Sequence, residues 1–166
     1  MSTAESNSGL TPTEHAHIEM LSRHYENKRS ACVEVLKYVQ TRYKFVADHH
    51  LAEIANLLAM SRTELESVAT YYNLIFRQQV GAHVILLCDS VSCWIMGRDK
   101  LCAHLRQHLG IEPGETTPDG AYTLLPIVCL GHCDHAPAML LDDELHGDLD
   151  IKRLDELLPL PTEPRL

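Results

Sequence analysis

A chain of 166 residues and 18.7 kDa holds one domain, or a modest domain with a smaller appendage. With 45% hydrophobic and 22% charged residues it can bury a core and has the composition of a soluble protein. Fourteen Lys and Arg against 23 Asp and Glu leave a net charge of −9. That is the wrong sign for a general nucleic-acid binder, and aromatics at 5% are too few for a base-stacking platform.

Residues 1–10 are small and polar and are expected to form a disordered leader. Thr11-Pro12-Thr13-Glu14 then reads as a helix start: Thr11 caps, Pro12 suits the first turn and Glu14 completes a capping box. A helix is expected from there to about Tyr25. Cys32, Val35, Leu36, Val39 and Tyr43 share one face of a second helix, and Leu51, Ile54, Ala55 and Leu58 repeat the pattern. Ser61-Arg62-Thr63-Glu64 is another capping box, opening onto Leu65, Val68 and Ala69. Residues 11–79 are therefore expected to form a helical bundle.

The pattern then changes. Short apolar runs at 71–76 and 83–88, separated by Gly81, predict strands. A helix is expected over 93–109, closed by Gly110, and residues 112–120 read as loop. Strands are expected at 122–129 and 138–141, and Ile151, Leu154, Leu157 and Leu158 mark a last short helix. Residues 80–166 thus read as a small α/β layer, with the boundary near Val80. The overall class is α+β.

No apolar run is long enough to cross a bilayer. No Lys or Arg precedes Arg23, so neither a secretory n-region nor an Arg-rich transit peptide is expected, and the chain should stay in the cytosol. Six cysteines in a reducing compartment suit metal or redox work better than disulfides. Positions 129–166 carry nine acids and three bases, a segment suited to solubility or to a basic partner surface.

The chemistry lies in Cys88-x4-Cys93 and Cys129-x3-Cys133. Each pair starts at a strand end and continues into a loop, Asp89-Ser90-Val91-Ser92 in one case and Leu130-Gly131-His132 in the other. Strand ends on one sheet edge would bring the pairs together. An all-Cys [2Fe–2S] cluster and a tetrahedral zinc site both fit, the cluster ranking first. A Rieske centre would need His132 and His135 as ligands, but no His lies in the first loop, and two tight pairs at strand ends argue against unligated core thiols. Cys32 and Cys102 read as packing residues. His15, His17, His49 and His50 read as solvated helix positions, His132 and His135 as loop residues beside the thiols, and Trp94 as a packing anchor.

The run from Cys88 through Trp94 to Gly97, and the run from Cys129 through Cys133, Ala136 and Pro137, resemble the NuoE family. That family is the small [2Fe–2S] subunit in the NADH-oxidising module of NADH:quinone oxidoreductase, respiratory complex I. The resemblance extends to the helical leader, Glu66 to Tyr72 and the Pro-Gly-Glu-Thr-Thr loop at 113–117. It implies a helical N-terminal domain followed by a thioredoxin-like domain with Cys88, Cys93, Cys129 and Cys133 as ligands of one [2Fe–2S] cluster. It further implies electron exchange with FMN on a flavin-bearing, NADH-binding partner (NuoF-like), beside a large iron–sulfur subunit (NuoG-like). The resemblance places this chain with them in the peripheral arm of a membrane-bound complex, at the inner face of the membrane. No catalytic residue is expected on this chain, which lacks a GxGxxG dinucleotide fingerprint. The matching subunit of an NAD-linked hydrogenase or formate dehydrogenase shares these motifs, and a zinc-stapled interaction module is the reading from another class.

Overall fold

A computed structural model describes residues 9–158, and its contacts divide the chain between Gln79 and Val80 into two compact units. The expected leader lies almost wholly outside the described residues; at its end Leu10 is buried in the helical core.

The first unit holds α1 (Pro12–Ser22), α2 (Cys32–Tyr43), α3 (Asp48–Leu57) and α4 (Arg62–Tyr71). Both capping boxes form, with Thr11 and Ser61 accepting from the amides of Glu14 and Glu64. α1 ends at Ser22, three residues short of the expected Tyr25, and i→i−3 turns follow it. Ile18, Val35, Leu36, Val39, Leu51, Ile54, Leu58 and Leu65 are wholly buried together, so the helical stripes meet as their spacing dictates. His50 is buried as well, against the Tyr43 and His49 rings, and is not a solvated surface residue.

Residues 71–76 form no strand. Tyr71 closes α4, and Tyr71, Tyr72 and Leu74 are exposed, so no alternating buried face exists to dock on a sheet. The segment instead turns, with its backbone bonded to Val46 and to the Gln40 side chain.

The second unit is built on a four-stranded sheet of order β2-β1-β3-β4, from β1 (His83–Cys88), β2 (Tyr122–Ile127), β3 (Met139–Leu141) and β4 (Glu144–His146). β1 pairs parallel with β2 and antiparallel with β3, and β3–β4 is a hairpin. β1 is apolar after His83 and lies central, buried from Val84 to Cys88. β4 escapes the sequence reading because three residues carry too little alternation to stand out.

The expected helix at 93–109 is two helices, α5 (Val91–Ile95) and α6 (Arg98–Leu109). Gly97 at φ 102° separates them, a left-handed conformation that breaks the i→i−4 ladder and that only glycine adopts without strain. Leu101, Cys102 and Leu105 of α6 and Leu154 of α7 (Ile151–Leu157) pack on Ile85, Leu87, Leu124 and Met139. Ile151 is exposed, so the apolar docking of α7 rests on Leu154 and Leu157, with Leu158 just beyond its end.

Glu14 is the buried charge of the helical unit. Its Oε1 meets Arg42 at 2.8 Å, and its Oε2 accepts from the Thr11 amide, the Thr11 hydroxyl and Tyr43 at 2.8, 2.9 and 2.8 Å. Burial pushes its pKa up, but the Thr11 amide, Tyr43, the Thr11 hydroxyl and Arg42 together hold it below the ordinary carboxylate value. A depressed carboxyl stabilises the fold above its unfolded pKa and loses that contribution as pH falls through its folded one. Glu14→Gln should therefore destabilise the chain by about 1–3 kcal/mol at pH 7, with the gap to wild type closing as pH drops below about 4.5. Urea unfolding of both proteins, followed by far-UV circular dichroism across that range, measures the gap.

Candidate metal centre

The two cysteine pairs are delivered to one place by sheet topology. β1 and β2 run parallel in register, Cys88 opposite Ile127, so both strands end at the same sheet edge. β3 lies on the other side of β1 from β2. The connection from β2 to β3 must therefore pass across the end of β1, where Cys88 sits, and it carries Cys129 and Cys133 with it. The Cys88 amide donates to the Ala138 carbonyl at 3.1 Å and the Asp89 amide to Ile127 at 2.9 Å, which ties both sides of this edge to β1.

Cys88 and Cys93 form the floor, each 2% exposed, while Cys129 and Cys133 lie on the exposed rim. Cys88 ends β1 as its apolar run suggests. Cys129 stands two residues beyond β2, and Cys93 sits inside α5 rather than at the start of a long helix. Cys32 is half-buried against the helical core and Cys102 is buried under the sheet; both are packing residues of their units.

The thiols are arranged as two pairs. Cys129 and Cys133 are 3.3 Å apart, and Cys93 shares a hydrogen bond with Cys88 while feeling the charge of Cys133. No three of these sulfurs lie within 4.8 Å of one another among the described residues. Four thiolates around one tetrahedral zinc would each be about 3.8 Å from the other three. A division into two pairs matches the donor pattern of a binuclear iron–sulfur centre, with a pair available to each iron.

Hydrogen-bond donors are already aimed at the sulfurs. The Gly131 amide points at Cys129 Sγ across 3.4 Å, with Gly131 at φ 78° so that the loop can turn back on itself. The Ala138 amide serves Cys93, and the hydroxyls of Ser90 and Ser92 serve Cys129 and Cys133. Ser90 caps α5 by backbone position but makes no side-chain cap bond, since its hydroxyl serves the thiol. The Gly131 amide, with help from Cys133, draws the Cys129 pKa down; Cys133, hydrogen-bonded to Cys129, is driven up. Of the rim pair, Cys129 is therefore the more easily ionised thiol. Burial pushes the Cys93 thiol up.

His132 and His135 stack on each other 4.6 Å apart, and His135 bonds Asp148 at 2.7 Å. Asp134 turns toward both rings, at 3.9 and 3.6 Å. Gly147 lies beneath them, where a Cβ would meet the His132 ring at 2.7 Å. Trp94 is no anchor: its ring is 59% exposed and its indole N–H donates to Asp99 at 3.0 Å. With Val91, Ile95 and Met96 it gives α5 an exposed apolar face. The serine donors and Gly147 were not singled out by sequence reasoning. The two serines between Cys88 and Cys93 were the available signal; Gly147 had none, because the ring it faces lies 15 positions away.

The match to known proteins covers most of the chain. The family model described as thioredoxin-like [2Fe–2S] ferredoxin matches residues 18–160. An NADH-quinone oxidoreductase subunit of Pseudomonas aeruginosa is 45% identical over 140 residues, 84% of each chain. The same subunit in Escherichia coli strain K12 is 45% identical over 149 residues, 90% of each chain. Among solved structures, a chain of an NAD+-reducing [NiFe]-hydrogenase superposes with a TM-score of 0.67 at 26% identity, over 77% of this chain. This chain spans only 22% of that hydrogenase chain.

Without metal, the rim and floor thiols should differ in reactivity. Brief iodoacetamide treatment of cluster-free protein should label Cys129 first, Cys133 next, and Cys88 and Cys93 slowest, since the thiolate is the nucleophile and the floor is shielded. Peptide mass spectrometry reads the order.

Proposed function

We propose, starting from the fact that this chain belongs to the thioredoxin-like [2Fe–2S] ferredoxin family, that it is the small electron-transfer subunit of an NADH:quinone oxidoreductase. Its ligands are Cys88, Cys93, Cys129 and Cys133. The observation that carries this reading is the division of the four thiols into two pairs at one sheet edge, the donor set of a two-iron centre.

Bound there, a [2Fe–2S] cluster supplies transfer of one electron at a time. The chain's part is to hold it and tune it. The amides of Gly131 and Ala138 and the hydroxyls of Ser90 and Ser92 direct positive dipole ends at the sulfurs, which favours the more negative, reduced state. The buried floor under Cys88 and Cys93 excludes water from one side, and the exposed rim leaves the other side open to a partner.

The partner is read as the flavin-bearing, NADH-binding subunit, with the large iron–sulfur subunit in the same module. The exposed apolar face of Val91, Trp94, Ile95 and Met96, next to the thiols, supports docking at this edge. Among the described residues no helix is long and apolar enough to cross a membrane, which agrees with a place in a peripheral arm at the inner membrane face. The hydrogenase reading is second, because the quinone oxidoreductase subunits match along 84–90% of their own length and the hydrogenase chain along 22% of its length.

Protein purified anaerobically should contain about two irons and two sulfides per chain and give an S = 1/2 EPR signal after dithionite. Ala at Cys88, Cys93, Cys129 or Cys133 should abolish that signal, whereas Cys32→Ala and Cys102→Ala should keep it. Stoichiometric zinc without visible absorption would overturn the assignment.

The chain alone should not oxidise NADH, since the dinucleotide fingerprint is missing from its sequence. Ferricyanide reduction by NADH should appear only when the flavin-bearing subunit is added; tight NADH binding by the isolated chain would contradict this division of labour.

A further inference from the structure

α6 and α7 bring a second set of ligand groups together, away from the cysteines. His104 and His108 stand one turn apart on α6, so both rings leave the same face of the helix. Asp155 of α7 faces them: its Oδ1 lies 2.7 Å from His104 Nε2 and 3.8 Å from His108 Nδ1. These three ligand atoms all fall within 4.8 Å of one another.

The second ring nitrogen of His108 is already committed. His108 Nε2 lies 3.0 Å from the Leu158 carbonyl, which accepts only if this nitrogen carries the proton. In its neutral form the ring then presents the Nδ1 lone pair toward the carboxylate. A lone pair facing a carboxylate oxygen is unfavourable unless a proton or a metal ion stands between them. Anchoring one ring N–H on a backbone carbonyl is also how metal-binding histidines are oriented.

Distances and exposure fit the same reading. Two ligand atoms each ~2.0–2.1 Å from a tetrahedral zinc stand about 3.3 Å apart. The observed 2.7 and 3.8 Å bracket that separation, so small ring rotations suffice. The His104 and His108 side chains are 25% and 11% exposed, and that of Asp155 is 50% exposed, which leaves an open side where water could complete the coordination.

We infer that His104, His108 and Asp155 form a binding site for a divalent transition-metal ion of the zinc class, separate from the cysteine centre. Its ligands are His104 Nε2, His108 Nδ1 and a carboxylate oxygen of Asp155. The ion crosslinks α6 to α7. At seven residues, α7 is too short to hold helical shape without tertiary support, so such a crosslink secures the end of the described chain.

The test uses the full chain with its iron–sulfur centre loaded, so that the cysteines are occupied. Zinc is titrated against a chromophoric zinc indicator for wild type, His104→Gln, His108→Gln and Asp155→Asn. Wild type should bind about one zinc, with only nitrogen and oxygen ligands near 2.0–2.1 Å by zinc-edge X-ray absorption. Each variant should bind at least about tenfold more weakly, because losing a ligand costs more than losing an outer-shell partner. Amide exchange in residues 151–158 should slow on zinc addition in wild type and not in the variants. Equal affinity in all four proteins, a sulfur shell near 2.3 Å, or bleaching of the iron–sulfur absorption in step with zinc uptake would overturn the proposal.

Discussion

The structure of the second unit depends on one crossing. β2 and β3 flank β1, so the chain that joins them has to pass over the carboxyl end of β1. That passage places Cys129 and Cys133 above Cys88, and the turn into α5 returns Cys93 to the same edge. Nothing in the cysteine spacing brings the two pairs together; the parallel pairing of β1 with β2 does, because parallel strands end on one side. The same edge is where open α/β sheets generally place their ligands.

Holding four thiols close carries an electrostatic cost that the surroundings lower. On the rim, the Gly131 amide and the Ser90 hydroxyl favour charge on Cys129, and the Ser92 hydroxyl favours it on Cys133. The floor pair is buried, and burial of Cys93 opposes its ionisation. A cation centre removes this conflict, since metal binding deprotonates the thiols and neutralises the charge that burial disfavours. The hydrogen-bond donors to the sulfurs are in place around the thiols.

The helical unit reaches stability differently. It has a contiguous apolar core, and its one deeply buried carboxylate among the described residues, Glu14, is met by an arginine, a tyrosine and a capping threonine. A single side chain thus joins the start of α1 to the end of α2, so a local cap also serves as a tertiary contact. In the second unit the polar work is done by backbone amides and small hydroxyls around sulfur, and the apolar work by β1 packed on α6 and α7.

Much of this was legible in the residues themselves. The capping boxes, the stripes of α2 and α3, the limits of β1 and the left-handed stop at Gly110 are local, set by propensity and period within a few residues. The four cysteines were also legible, since their pairing and loop residues lie side by side in the chain. Other features were decided only by tertiary structure. Residues 71–76 have strand composition but no sheet to join, and His50 is buried because Tyr43 closes over it. Trp94 is exposed because α5 is a single short helix cut off by Gly97 and docked through Cys93. The meeting of His104 and His108 with Asp155, some 50 positions later, exists only because α7 packs beside α6. Local elements follow from neighbouring residues; long-range meetings depend on which strands pair and which helices pack, and no short stretch of chain encodes that choice.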